Sequence, residues 1–78
     1  MNKIQNFIND NEFRFTIYDD MIHIINYKRI ISLEEQYVSI RSPKHKIVIY
    51  GNQFCLIRLL KEELLLKGTI SKIEVSNE

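Results

Sequence analysis

From residue 13 onward this chain alternates apolar and polar side chains and is cut at short intervals by turn formers. In FRFTIY, Phe13, Phe15 and Ile17 share one face while Arg14 and Thr16 share the other, the period of a half-buried strand. Asp19-Asp20 ends that run, because Asp tolerates turn dihedrals and competes for local backbone hydrogen bonds. MIHII resumes, NYK interrupts, RIISL runs to Glu34-Glu35, and QYVSIR follows. SPKH is the next break, since a proline cannot donate to a central ladder. KIVIY then reaches Gly51-Asn52, a dipeptide suited to a two-residue hairpin turn. QFCLIRLL ends near Lys61-Glu62, ELLLK ends at Gly68, and TISKIEV closes the run. The gaps leave no room for crossover helices, so neighbouring strands are expected to be antiparallel.

The expected fold is therefore all-β: a small antiparallel meander, sandwich or barrel of seven to eight short strands, about five residues each. A β-solenoid-like coil is the alternative that the ending Gly68-x-Ile70-x-x-Ile73 allows. Asp19, Asp20, Gly51, Asn52 and Gly68 are the expected turn residues. Residues 54–66 admit a helix as well, because Leu56, Leu59, Leu60, Glu63 and Leu64 fall at helical spacing. Residues 1–12 place Ile4, Phe7 and Ile8 at helical spacing and read as a short helix or docked arm, with residues 13–78 as the single β domain. The chain contains no Ala, the strongest helix former, and its many Ile, Tyr and Phe suit a pleated surface.

One near-repeat runs through this pattern. Ile17-Tyr18-Asp19-Asp20 matches Ile49-Tyr50-Gly51-Asn52 at an offset of 32 residues. Both stretches read as tight turns. An internal duplication and a chance recurrence of apolar pair, polar pair, apolar run both account for the match.

With 78 residues the chain forms one small domain, and a small core gains from association. The formal net charge is +1, which speaks against a nucleic-acid partner, because nonspecific affinity comes from phosphate neutralisation. The one cysteine, Cys55, allows no intrachain disulfide and fits a reducing compartment. The N-terminal segment has no long apolar stretch of the signal-peptide kind, and no window reaches the apolar length of a membrane-spanning helix. A cytoplasmic location is expected.

No catalytic set is legible. His23 and His45 are the only histidines, no zinc spacing exists, and no glycine-rich phosphate loop is present. No enzyme activity, cofactor or metal is expected. The densest polar patch is RSPKHK, where Arg41, Lys44, His45 and Lys46 cluster on one loop able to take a phosphate or an acidic partner. Tyr37 and Tyr50 flank it as a possible aromatic platform. Tyr18, Tyr27, Tyr37 and Tyr50 are candidate interface residues, as aromatics concentrate at interfaces.

Three segments carry a family likeness: Asn26, Tyr27, Lys28 and Ile30; then Gly51, Phe54 and Leu56; then Glu62, Glu63, Leu64, Leu66, Gly68, Ile70, Ile73 and Val75. Over residues 13–75 the chain resembles the YabP/YqfC family of sporulation proteins, closest to its YqfC branch. Ile25 and Arg29 stand where that family usually has Glu and Gly. The resemblance implies a small cytosolic protein of a spore-forming bacterium, without catalytic residues, serving spore-envelope formation. The expected function is thus a non-enzymatic structural or adaptor role, acting as a homo-oligomer or on a protein partner. The alternative is a small-barrel nucleic-acid binder using loop 41–46.

Overall fold

The turn at Asp19-Asp20 forms as the sequence predicts. Tyr18 and Met21 are the last paired residues across it, and Asp19 takes a positive φ of 56°, which its short polar side chain tolerates. The computed structural model that shows this describes residues 4–10, by backbone alone, and 13–77. Its strands are β1 (Ile4–Asp10), β2 (Phe13–Tyr18), β3 (Met21–Ile25), β4 (Arg29–Leu33), β5 (Tyr37–Arg41), β6 (Lys46–Leu60) and β7 (Glu63–Ser76). All pair antiparallel in a single sheet of order β1-β2-β3-β7-β6-β5-β4. No described residue is helical. The all-β expectation holds; the sheet is open, with β1 and β4 at its ends, rather than a barrel or a solenoid.

Three expectations are corrected. Residues 4–10 are an edge strand paired to β2, not a short helix or arm: two turns of helix are marginal alone, whereas β2 offers a row of backbone partners. Residues 54–66 are strand apart from the turn at Lys61-Glu62, so the helix alternative fails there. And Gly51, Asn52 and Gly68 are not turns. Gly51 and Asn52 lie inside β6, and Gly68 lies inside β7, so four expected short strands are two long ones of 15 and 14 residues. The stretches matched at offset 32 therefore differ in structure: the first is a hairpin turn, the second a kink within one strand.

That kink shapes the molecule. A straight 15-residue strand would be about 50 Å long, yet the longest extent of the Cα trace is 30 Å. The β6–β7 pairing shifts register at Tyr50/Gly51, Asn52/Cys55 and Leu56/Arg58, and each such bulge bends the strand and raises its twist. Gln53, not a glycine, takes the positive φ, 58°. The glycines are required by close approach instead. A Cβ on Gly51 would lie 1.9 Å from the Thr69 carbonyl oxygen, and one on Gly68 would lie 2.4 Å from Phe54 Cδ1. The Phe54 ring packs over both glycines and is itself buried.

The bend folds the sheet into two leaves. The first comprises β1, β2, β3, residues 63–67 of β7 and residues 55–60 of β6. The second comprises β4, β5, residues 46–50 of β6 and residues 72–76 of β7. Phe13, Phe15, Ile22, Ile24, Leu64 and Leu66 from the first leaf form one buried cluster with Val38, Ile40, Ile47 and Ile49 from the second. Burying each such side chain contributes about 1.5–3 kcal/mol.

Candidate functional site

Because β6 belongs to both leaves, its two halves have different neighbours. Residues 46–50 lie between β5 and β7. The loop after β4 extends that cover slightly, as Gly51 N donates to Gln36 O and Phe54 N to Glu35 O, both at 2.9 Å. Beyond Phe54 no strand pairs with the outer side of β6 among the described residues. Residues 55–60 are thus an edge strand.

The side chains on that edge are unusual for one. Leu56 pairs with Leu66 and Leu59 with Leu64, so both face the core side of the leaf. Leu64 and Leu66 are buried, yet Leu56 is 43% exposed and Leu59 48%. Ile57, the extra residue of the Leu56/Arg58 bulge, is 49% exposed and Leu60 52%. The leucine layer of the core therefore runs out to the rim uncovered. Proteins commonly guard such edges with charge. Here the one charged side chain of the segment is Arg58, whose Nη2 donates to Glu63 Oε2 at 3.2 Å. His23 Nε2 lies 2.7 Å from the same oxygen. The His23 hydrogen bond, partly offset by desolvation and assisted by the Arg58 charge, holds the Glu63 carboxyl below its ordinary range.

The residues singled out from sequence fall into three groups. Arg41 and Lys46 are register partners at the mouth of the β5–β6 hairpin. Lys44 is exposed in its loop. His45 is tied back, its N–H donating to Ser42 Oγ at 3.0 Å, and its ring Nδ1 is buried without a partner. Arg29 pairs with Arg41 and joins this cationic end; only the β4–β5 register reveals it, twelve residues away in sequence. Tyr37 and Tyr50 are register partners on the outer face of the second leaf, and Tyr18 is 38% exposed at the end of β2.

Tyr27 is corrected: it is 8% exposed, belongs to the core, and donates its hydroxyl to Leu60 O at 3.3 Å, so it presents no free surface. Burial raises its pKa, with the Glu62 charge adding to the shift. Sequence reasoning missed Leu56, Ile57, Leu59 and Leu60 as surface residues. A continuous apolar run normally signals a strand buried on both faces, and nothing local shows that β5 stops short of it.

No group of three or more His, Cys, Asp or Glu side chains able to hold a metal occurs among the described residues. No helix of the described residues is long and apolar enough to cross a membrane. Comparison with protein-family models, with curated proteins and with solved structures gives no match to the chain.

Proposed function

We propose that the chain is a non-enzymatic assembly module that self-associates through the edge at residues 55–60, within the spore-envelope setting that its resemblance to the YabP/YqfC family implies. The observation that carries this reading is the row of four half-exposed aliphatic side chains on an unpaired strand edge. An added strand supplies backbone hydrogen bonds there and covers the apolar side chains.

A second copy fits the edge by its own pattern. Leu56 and Leu59 stand symmetrically about the midpoint of Ile57 and Arg58. A two-fold axis at that midpoint sets Leu56 opposite Leu59 of the other copy, Ile57 opposite Arg58, and Cys55 opposite Leu60. The core leucines then form continuous rows, Leu66–Leu56 of one copy running into Leu59–Leu64 of the other. No two Arg58 side chains oppose each other, and each keeps its own Glu63. A single six-residue edge makes a small interface, so a concentration-dependent dimer is expected.

Light scattering across a concentration series tests this. The wild type should move from monomer to dimer mass, and Ile57→Lys should remain monomeric with an unchanged circular-dichroism spectrum. A wild type that stays monomeric throughout removes the reading.

A further inference from the structure

The outer face of the second leaf carries a feature that self-association through the first leaf does not use. Three rows of side chains cross that face in register. One row is Arg29, Arg41 and Lys46. The next is Ser32, Ser39 and Val48. The third, on β5 and β6, is the pair Tyr37 and Tyr50. Small residues thus lie between Lys46 and a wall of aromatic rings, and the difference in side-chain length leaves a trough. Its cavity volume is about 310 Å³, and Lys46, Ser32, Ser39, Tyr37 and Tyr50 all line it.

Two observations show that the trough is more than a surface dimple. Ser39 is only 4% exposed, and its Oγ is buried with no hydrogen-bond partner. A buried hydroxyl left unsatisfied costs free energy that a bound acceptor or donor recovers. The cationic row is the second. Like charges directly opposite one another across a strand pair are destabilising, and here the opposition occurs twice in succession. Lys46 has no carboxylate within ion-pair distance among the described residues. An anion beside Lys46 would relieve both features.

We propose that this trough binds a small phosphorylated aromatic molecule of mononucleotide size. The phosphate would lie against Lys46, accepting a hydrogen bond from the Ser39 hydroxyl. The ring would stack on Tyr37 and Tyr50, since aromatic faces accept any flat base. The volume accommodates one such unit, at the small end of ligand pockets.

Adenosine 5′-monophosphate is the probe, titrated into the full chain and followed by backbone amide NMR, with adenosine and inorganic phosphate titrated separately. The expected result is saturable shifts at Ser39, Lys46 and Tyr50, with each half-molecule binding at least about tenfold more weakly. Ser39→Ala should weaken binding about three- to tenfold, the effect of one hydrogen bond, without lowering the melting temperature. Lys46→Met should weaken it about tenfold or more, as loss of a charge-assisted contact does. Unmoved signals with millimolar nucleotide overturn the proposal, as does binding indifferent to both substitutions. A tetranucleotide that binds more tightly per chain than the mononucleotide overturns the small-molecule assignment in favour of a single strand. Because the edge at residues 55–60 lies in the other leaf, none of these outcomes depends on self-association.

Discussion

At the scale of single residues, the two glycines and Phe54 decide the shape of the sheet. Gly51 and Gly68 are needed because the Phe54 ring and the Thr69 carbonyl occupy the space a Cβ would take. Neither glycine has a positive φ, so the requirement is steric and not conformational. Gly68→Ala must push the Phe54 ring aside, and overpacking of this kind costs about 1–3 kcal/mol. Phe54→Ala loses about 3–5 kcal/mol by leaving a cavity. The two substitutions touch one space, so their effects should be non-additive: the double variant should be less destabilised than the sum of the singles. Urea denaturation of the four proteins measures this, and strict additivity would show that the ring does not fill the bend. Both glycines were visible in the sequence as special positions. Their role was not, because a turn and a close approach select the same residue.

At the scale of elements, β3, β6 and β7 are tied together on the outer face by one carboxylate. Glu63 accepts from Arg58 of β6 and lies 2.7 Å from His23 of β3. Its pKa in the fold is below the 4.5 of a free glutamate, the His23 hydrogen bond being the largest cause. The sign follows directly. A depressed carboxylate contributes stability above its unfolded value, and that contribution is lost as pH falls through the folded one. The melting temperature should therefore drop on acidification below about pH 4.5, and less steeply in Glu63→Gln than in the wild type. Parallel pH profiles for the two proteins would show that Glu63 makes no net contribution. The pair Tyr50 and Glu74 with Lys72 has the same form in the second leaf: Tyr50 Oη donates to Glu74 Oε1 at 3.4 Å, and Lys72 Nζ lies 3.0 Å from Glu74 Oε2. The charged pair Lys72–Glu74 guards the end of β7, where that strand is the rim of its leaf. At residues 55–60 of β6 the corresponding charged pair is Arg58–Glu63, and it stands among four half-exposed aliphatic side chains.

At the scale of the whole molecule, the proposed dimer has a specific register that cross-linking can read. With the two-fold axis between Ile57 and Arg58, each Cys55 lies opposite Leu60 of the other copy and far from the other Cys55. The wild type, whose only cysteine is Cys55, should not form a disulfide-linked dimer under mild oxidant. Leu60→Cys should form one readily, since directly opposite residues fall within disulfide reach. A non-reducing gel reports both. Rapid cross-linking of the wild type, with no gain from Leu60→Cys, would shift the register or abandon it.

The sequence by itself determined the β class, the turns at Asp19-Asp20, Glu34-Glu35, Ser42–His45 and Lys61-Glu62, and the core face of β2. These depend on period-two burial and on backbone preferences at single positions, which neighbouring residues encode. Tertiary structure alone decided that Gly51-Asn52 and Gly68 continue strands, that residues 4–10 add an edge, and that Tyr27 is buried. It also decided which rows of side chains lie side by side, bringing Arg29 to Arg41 and Ser39 between the cations and the tyrosines. The physical reason is the same in each case. A bulge and a hairpin turn draw on the same residues, and exposure depends on where a distant strand stops, which no local pattern records.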